Sequence, residues 1–309
     1  MFWKNRNNKL NYYAANHIAS LLPSFLYQKS LKSWLENSES AEISKRIDYY
    51  INFSSSQVPE KAKTLSEFKR TDFGSTYYYD LKNLIKYFSQ SLKLNFKAGD
   101  IFTTQPVPTV VKSRPIKNNG NSVLLKLNKI RHYNFVDDVI PFEKKKSQVV
   151  WRGMIHKENR RLLVDLFHDH PKCNIGTVED NPKNPIWKKD FLSIGSQLNY
   201  KYILSIEGHD VATNLKWIMS SNSLCLMPKP KFETWYMEGL LKPGFHYVLL
   251  KDDYSDLFEK MDYYDKHPEK ALEIIKNAND WTKQFKNKKL EKKISLLVLQ
   301  EYFKRTGQV

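Results

Sequence analysis

The sequence is poor in the residues that mark specialised classes of protein. Among 309 residues there are two cysteines, Cys173 and Cys225, with 10 glycines and 13 prolines. Two cysteines cannot build a disulfide framework, or a four-ligand zinc site without histidines, so we expect two buried, reduced thiols. The scarcity of glycine and proline excludes collagen-like and low-complexity chains. Because 41% of the residues are hydrophobic, the chain can bury a core.

Long apolar runs are absent as well. No window of about 18 apolar residues occurs, so no segment reads as a transmembrane helix. The first residues, MFWKNRNNKLNYY, lack the apolar segment and the small-residue cleavage site of a signal peptide. From these two absences we expect a cytoplasmic protein.

Negative charge is in short supply. The chain has 50 Lys and Arg against 33 Asp and Glu, a net charge of +17. Residues 1–150 hold 24 basic and 12 acidic side chains, or +12, and residues 151–309 hold 26 and 21, or +5. Such a field attracts nucleic acid, an anionic membrane or a phosphorylated substrate. Charge that serves only solubility is the alternative.

The first part of the chain has an irregular pattern. Apolar spacing predicts a helix over 81–93 and a strand over 108–116, whereas 122–136 fits either a strand or a helix. The charged stretch 142–147 follows, and we place a domain boundary there.

Regular alternation begins after this boundary. Short apolar strands alternate with helices of 10–15 residues, a pattern typical of a parallel sheet wound on both faces. The runs at 201–208 and 246–251 are apolar enough to be buried on both sides. Helices are predicted at 158–170, 188–198, 212–222, 234–241, 254–267, 268–285 and 288–305. The last of them is expected to pack back on the first domain.

Two segments lie at predicted strand ends, where ligands of such sheets bind. In WRGMIHKENRR (151–161), Arg152 and Arg160 suit bidentate phosphate contacts, or else form a solvated basic face. In IEGHDVATNLKW (206–217), Gly208 precedes a helix predicted to begin near Ala212, and the N-terminus of a helix binds phosphate. A plain strand-to-helix connection is the alternative.

A third segment, 229–256, also follows a strand end. Glu233 can bind vicinal hydroxyls, and Trp235 can reach a sugar or ribose; core packing is the alternative for Trp235. Among residues of the types that bind metal ions, only the triplet His168-Asp169-His170 stands out. We interpret it as a solvated turn before Pro171.

In this order and spacing, the three segments resemble glycosyltransferase family 90, the family of fungal capsule-associated xylosyltransferases, animal protein O-glucosyltransferases and bacterial lipopolysaccharide-modifying enzymes. The resemblance covers about residues 70–285, is strongest over 147–285, and points to the bacterial branch. The matching blocks are Trp151-Arg152-Gly153 with Arg160, Lys201-Tyr202 through Gly208 to Lys216, and Glu233, Trp235, Leu241-Lys242-Pro243 and His246-Tyr247.

The resemblance implies an α/β fold of GT-B type, in which two Rossmann-like domains face a cleft. Residues 1–147 would be the acceptor side, 148–285 the nucleotide-sugar side, and 286–309 a helix returning to the first domain. It implies inverting, metal-independent transfer from a UDP-sugar of the glucose or xylose type to a hydroxyl of a lipopolysaccharide core or related envelope glycan. We expect no cofactor and no nucleic acid, but a possible partner in the inner-membrane surface.

The resemblance also assigns residues. Donor binding falls to Arg152, Gly153, Arg160, Glu207, Gly208, Asp210, Val211, Ala212, Thr213, Asn214, Lys216, Glu233 and Trp235. The base matches Asp100, with Asp72 and Asp80 as competitors, and Lys112 and Arg114 lie on the acceptor side. Many members carry arginine at the position of Asn214, so a donor to the diphosphate is missing here.

Two other functions stay open at this point. A basic protein that binds nucleic acid would explain the net charge, although no module motif accompanies it. An inactive relative that acts as a scaffold would explain the departure at Asn214. Binding of UDP separates the enzyme from the first alternative, and turnover separates it from the second.

Overall fold

A computed structural model describes residues 8–36 and 40–309. The first helices are α1 (Lys9–Leu21), α2 (Ser24–Leu35), α3 (Ala41–Tyr50), α4 (Ser75–Ile85) and α5 (Lys129–His132). The first strands are β1 (Lys63–Thr64), β2 (Lys93–Leu94), β3 (Thr109–Val111), β4 (Ser113–Pro115) and β5 (Ser122–Leu124). The undecided segment 122–136 therefore contains both a strand and a short helix.

Strands and helices alternate through most of the remaining chain. The strands are β6 (Lys146–Gly153), β7 (Cys173–Thr177), β8 (Tyr200–Leu204), β9 (Leu224–Met227), β10 (Phe232–Thr234) and β11 (Val248–Leu249). The helices are α6 (Glu158–Phe167), α7 (Ile194–Gln197), α8 (Leu215–Ile218), α9 (Leu257–Lys266), α10 (Pro268–Lys283) and α11 (Lys288–Arg305). In the described ranges no helix has both the length and the apolarity needed to cross a bilayer.

The chain divides into two compact units. The sheet unit comprises His132–Pro230 and Glu238–Gln284. The helix unit comprises the described residues up to Arg131, together with Lys231–Met237 and Phe285–Val309. Helix α11 thus belongs to the same unit as α1–α4. The assignment of 1–147, 148–285 and 286–309 to acceptor, donor and returning-helix parts stays a prediction.

The sheet unit is built on a five-stranded sheet in the order β7-β6-β8-β9-β11, with every neighbouring pair parallel. Parallel neighbours require crossover connections, and α6 and α8 lie in the connections that follow β6 and β8. The predicted α/β class with a parallel sheet is confirmed.

Alternate residues of the central strands enter one hydrophobic core. Trp151 and Tyr202 are among them, and they pack with residues of α6, α9 and α10. The intervening residues, such as Ile203 and Cys225, are buried too, so β8 is covered on both faces as predicted, and β9 is as well. The same prediction is wrong for β11: it lies at the sheet edge, and Leu249 is 38% exposed.

Four predicted helices differ from the structure. The segment predicted as a helix over 81–93 is helical only up to Ile85, where α4 ends, and its last residue, Lys93, begins β2. The segments 188–198 and 212–222 contain only the single turns α7 and α8, and 234–241 begins at the end of β10 and contains only a 3₁₀ turn. After α8, the hydroxyls of Ser220 and Ser221 donate to the carbonyls of Trp217 and Ile218. Such local bonds compete with the helical pattern. Both cysteines are buried and free, as predicted.

The helix unit holds three small strand pairs and a buried group of charges. Strands β1 and β2 are antiparallel. Strands β3 and β5 are parallel, and β4 and β10 are antiparallel. Oε1 of Glu291 in α11 forms an ion pair with Arg46 of α3 at 2.7 Å, and Oε2 accepts from Lys126 at 2.7 Å and from the indole nitrogen of Trp235 at 2.8 Å. These contacts connect α11 to α3 and to the segment that contains β10.

Candidate active site

The order of the sheet strands places a crevice between two neighbours. The connection after β6 runs to β7 on one side, and the connection after β8 runs to β9 on the other. At such a switch point the loops diverge beyond the carboxyl ends of the strands, where doubly wound sheets bind ligands. Here these are residues 154–157, the β6 loop, and residues 205–214, the β8 loop.

Arg160, in the first turns of α6, joins the two loops. Its Nη1 donates to the carbonyl oxygen of Met154 at 3.2 Å. Its Nη2 donates to that of Ile206 at 2.7 Å, and its Nε to that of Glu207 at 3.1 Å. The guanidinium is thereby fixed at the switch point, and the side chain stays partly exposed. A fixed cation at this position suits a phosphate group.

Gly208 allows this close approach. A Cβ atom at Gly208 would lie 3.0 Å from Nη2 and 3.1 Å from Cζ of Arg160. The side chain of Asn159 donates to the carbonyl of Glu207 at 3.1 Å. In addition, the rings of His156 and His209 stack at 4.9 Å between centroids. The β6 and β8 loops are therefore held together by several independent contacts.

Arg152 and Gly153 serve a different neighbourhood. Arg152 donates to the backbone and side-chain oxygens of Asn174 on β7 at 2.7 and 2.6 Å, and to the carbonyl of Asp190 at 2.9 Å. These bonds lie on the β7 side of β6, whereas Arg160 contacts the β8 loop. A Cβ atom at Gly153 would come within 2.6 Å of the Trp151 ring, so glycine is required by packing.

Most of the remaining residues of the β8 loop are buried within the sheet unit. Asp210, Val211 and Ala212 are buried. Asn214 donates from Nδ2 to the carbonyl of Leu204 at 2.8 Å, at the end of β8. The residues from Gly208 to Thr213, predicted to line the donor, therefore form a loop.

The helix predicted near Ala212 begins at Leu215 and is one turn long. The predicted start of the helix is therefore wrong, and the phosphate site expected there stays a prediction. Lys216 within that turn has no exposure, and its Nζ lies 2.5 Å from Oε1 of Glu238. Its ammonium also faces the ring of Tyr133 at 5.7 Å.

A groove of about 610 Å³ opens beside the switch point. Glu179, after β7, helps to shape it by accepting from the backbone nitrogen of Ile155 at 2.6 Å. The lining residues are Ile155, His156, Glu158, Arg161, Leu162, Asp165, Glu179, Lys183 and Trp187. None of the donor residues assigned from the sequence lines it. The lining comes from separate segments that only the fold brings together. Four of its members, Ile155, His156, Glu158 and Arg161, belong to the segment 151–161 that stood out in the sequence.

In the helix unit, two residues predicted to contact substrate meet each other. Arg114 on β4 and Glu233 on β10 are directly opposite in the antiparallel pair. Nε of Arg114 lies 2.8 Å from Oε1 of Glu233, and their side chains are 2% and 1% exposed. Arg114 also donates to the carbonyls of Tyr49 and Ser122 at 2.7 Å each. This pair holds the strands together in the interior.

Trp235 is also interior. Its ring stacks on that of Tyr50 with 3.8 Å between centroids, and its side chain has no exposure. These contacts agree with the packing alternative, and its donor role stays a prediction.

The candidate bases differ in accessibility. The Asp100 carboxylate is 39% exposed and lies 2.6 Å from Nζ of Lys112, whose side chain is 1% exposed. Asp80 is fully buried, bonded to the hydroxyl of Tyr12 at 2.8 Å and to Lys129. Asp72 is at the surface beside Lys63. A base must reach an acceptor hydroxyl, and only Asp100 and Asp72 are exposed enough to do so.

The side chains that could ligate a metal ion are those of His, Cys, Asp and Glu. In the described part of the chain, no three His, Cys, Asp or Glu side chains group closely enough to hold a metal ion. His170 of the sequence triplet stacks on Phe258 at 4.0 Å between centroids.

Comparison with known proteins decides the family. The model of "Glycosyl transferase family 90" matches residues 125–306, more than half of the chain. The chain belongs to glycosyltransferase family 90. It is 44% identical over 304 residues to the O-glucosyltransferase LpsA of Dichelobacter nodosus, covering 96% of this chain and 95% of the relative. The resemblance stated from the sequence is confirmed, and the chain is a glycosyltransferase.

More distant family 90 members match a shorter region. Human protein O-glucosyltransferase 3 is 27% identical over 140 residues, covering 43% of this chain and 27% of the relative. Rat protein O-glucosyltransferase 1 is 28% identical over 151 residues, covering 46% and 38%. The bacterial relative therefore matches nearly the whole chain, including the helix unit, and the animal relatives match only a part.

Proposed function

We propose that this family 90 enzyme transfers a sugar from a UDP-sugar, glucose being favoured over xylose, to a hydroxyl of a lipopolysaccharide core or related envelope glycan. The near full-length similarity to a protein named O-glucosyltransferase supports glucose. The observation that carries the donor assignment is the Arg160 guanidinium fixed between the β6 and β8 loops. The GT-B arrangement and inversion at the anomeric carbon belong to the same proposal.

In this proposal the diphosphate binds at the switch point. As the glycosidic bond to UDP breaks, negative charge grows on the leaving diphosphate, and a preorganised cation there lowers the barrier. Arg160 supplies that cation, and Gly208 leaves room for it. Lys216 would have to leave Glu238 to take part, so we assign it to positioning α8.

We assign the base to Asp100. Attack by an acceptor hydroxyl on the face of C1 opposite the diphosphate requires removal of the hydroxyl proton. The exposed Asp100 carboxylate can accept that proton, and the buried Lys112 ammonium orients it at 2.6 Å. Lys112 thus serves the acceptor side by orienting the Asp100 carboxylate. Arg114 serves it only by holding β4 and β10 together.

We further propose that the reaction needs no divalent metal, since Arg160 and backbone donors of the β8 loop can carry the diphosphate charge. Addition of EDTA is then expected to leave the rate unchanged. A rate that falls with EDTA and returns with Mg²⁺ or Mn²⁺ would contradict this part of the proposal.

The test is transfer itself. The chain is incubated with UDP-glucose or UDP-xylose and a delipidated lipopolysaccharide core, UDP release is measured, and the product anomer is read by NMR. We expect UDP-glucose to be the better donor and a β-linked product. Asp100→Asn should abolish release, and Asp72→Asn should not.

Binding of UDP-glucose with no turnover on any core would favour the inactive scaffold. Binding of RNA without UDP binding would overturn the donor site.

A further inference from the structure

The two N-terminal helices carry exposed apolar side chains that the transfer reaction does not use. Leu10 and Ile18 of α1 are 78% and 64% exposed. Phe25 and Leu26 of α2 are 55% and 49% exposed, and Leu22 between the helices is 49% exposed. We call these five residues the N-terminal apolar surface. Exposed apolar residues are ordinary when they are single, but a concentration in one short segment marks an interaction site.

Helices α1 and α2 contact the rest of the helix unit partly through polar and aromatic side chains. Polar and aromatic side chains fix them to the helix unit: Tyr12 donates to Asp80 at 2.8 Å, and Gln28 donates to the carbonyl of Phe88 at 2.9 Å. The ring of Tyr27 contacts that of Tyr87 at 5.3 Å between centroids. A surface helix normally turns its apolar stripe to the core. Here polar and aromatic side chains take part in the half-buried side together with Leu31 and Leu35. The apolar residues Leu10, Ile18, Phe25 and Leu26 face solvent.

The charge of the same segment has one sign. Residues 1–35 contain five Lys and Arg and no Asp or Glu. Lys29 and Lys32 are exposed on α2, four and seven positions after Phe25, which places all three on one side of the helix. Aliphatic and aromatic side chains next to lysines, without acidic residues, are typical of helices that lie in the interface of an anionic bilayer.

We propose that α1 and α2 form a membrane-docking surface for anionic phospholipids. Lys29 and Lys32 would contact the headgroups, and the N-terminal apolar surface would enter the boundary of the acyl chains. A second copy of the chain is a less favourable occupant, because pairing two such surfaces would bring lysines together. The inference assigns the expected contact with the inner membrane to a defined surface of the protein. It does not rest on the transfer reaction.

The test uses the full chain and sedimentation with vesicles. We expect binding to vesicles of phosphatidylcholine with phosphatidylglycerol, weaker binding at high salt, and little binding to phosphatidylcholine alone. The triple variant Leu10→Ser, Ile18→Ser and Phe25→Ser should lose binding. The variant Lys29→Glu with Lys32→Glu should lower partitioning by about 25-fold or more, since each lysine near such a surface contributes about fivefold.

Matched controls carry the same changes elsewhere. The triple variant Val139→Ser, Ile186→Ser and Phe191→Ser removes side chains that are 82%, 59% and 71% exposed in the sheet unit. Lys266→Glu with Lys270→Glu reverses exposed charges there. Both controls should bind like the original chain. Equal losses in the controls, equal binding to both vesicles, or a dimer that forms through this surface without vesicle binding would overturn the inference.

Activity on a delipidated core separates this inference from the proposed function. The docking variants should keep their rate on that soluble acceptor, because neither helix contributes a residue to the proposed machinery. Failure of vesicle binding with normal turnover would reject only the docking surface. Vesicle binding without turnover would reject only the proposed transfer.

Discussion

Arg160 in the sheet unit and Arg114 in the helix unit show two uses of one residue type. Arg160 donates to backbone carbonyls of two loops at the carboxyl edge of the sheet and stays partly exposed. Arg114 is 2% exposed and shares its guanidinium between the Glu233 carboxylate and two interior carbonyls. Both arginines were expected beside substrate. The comparison teaches that burial and the nature of the partner, rather than the residue, distinguish a binding cation from a structural one.

The contrast between a buried and a partly exposed arginine also holds between the helix unit and the sheet unit. The helix unit has charged groups deep inside, among them Arg46 and Glu291, which lie 2.7 Å apart with 4% exposure each. Breaking such a pair leaves an uncompensated charge, whereas a cation at a solvated edge can be removed at little cost to stability. Variants in the two units should therefore fail in different assays.

The largest effect is expected from Glu233→Ala. It leaves the buried Arg114 guanidinium without its carboxylate, which costs about 3–5 kcal/mol of unfolding free energy. Equilibrium unfolding in urea measures this loss. The double variant Arg114→Met with Glu233→Leu should recover much of it, because an apolar pair removes both charges. A Glu233→Ala chain that unfolds normally but no longer binds UDP-glucose would instead make Glu233 a donor ligand.

Arg160→Ala should produce the opposite pattern. Loss of a preorganised donor to a developing charge lowers kcat by about 10²–10³-fold. The unfolding free energy should change by no more than about 1.5 kcal/mol, since the lost bonds run to carbonyls at a partly exposed site. Arg70→Ala, at the surface of the helix unit, is the control and should change neither quantity. If Arg160→Ala mainly unfolds the chain, the comparison between the two arginines fails.

Gly208→Ala should have a smaller effect of the same kind. The added methyl group would lie 3.0 Å from Nη2 of Arg160, so the guanidinium must move by a few tenths of an ångström. We expect a loss of about tenfold in kcat from this misplacement, with little change in the melting temperature. Gly120→Ala is the matched control, because a Cβ atom there meets nothing within 4 Å. Equal rates for the two variants would show that the position of Arg160 is not critical.

A different kind of effect, which depends on pH, concerns the buried Lys86 of the helix unit. Burial lowers the pKa of Lys86 to about 8, helped by the nearby charges of Lys292 and Lys82. The unfolded chain keeps the ordinary value of 10.5, so it binds more protons than the folded chain between these two pH values. Stability from this group therefore rises as the pH rises from about 8 to 10.5. The unfolding free energy of the original chain should rise relative to that of Lys86→Met over that window; parallel pH profiles would contradict this.

The sheet was predictable because each of its central strands is a short apolar run with local signals at both ends. Hydrophobic patterning is local, and β8 and β9 follow it. The errors arose where tertiary position or side-chain bonding decided the outcome. Leu249 is exposed because its strand is the last in the sheet, and α8 is short where serine hydroxyls bond back to its carbonyls.

The candidate site was predictable to a similar extent. Arg160 follows β6 and Gly208 follows β8, which are neighbours in the sheet, and the fold brings them so close that a Cβ atom at Gly208 would lie 3.0 Å from Nη2 of Arg160. The pairing of Arg114 with Glu233 joins positions 119 residues apart and has no local sign. The ion pair of Lys216 with Glu238 is equally invisible, although its partner is nearer in the chain. Residue types predicted charge at these positions, and only the fold shows which charges are buried.

The position of Glu291 has a consequence for the order in which the chain folds. During synthesis α3, which contains Arg46, and the loop after β5, which contains Lys126, emerge early, but the carboxylate that neutralises both lies in α11 near the end of the chain. The sheet unit is complete once residue 284 has emerged, before α11 is made. The unit that begins first on the ribosome therefore finishes last, and until then its early helices carry charges that cannot yet be buried at low cost.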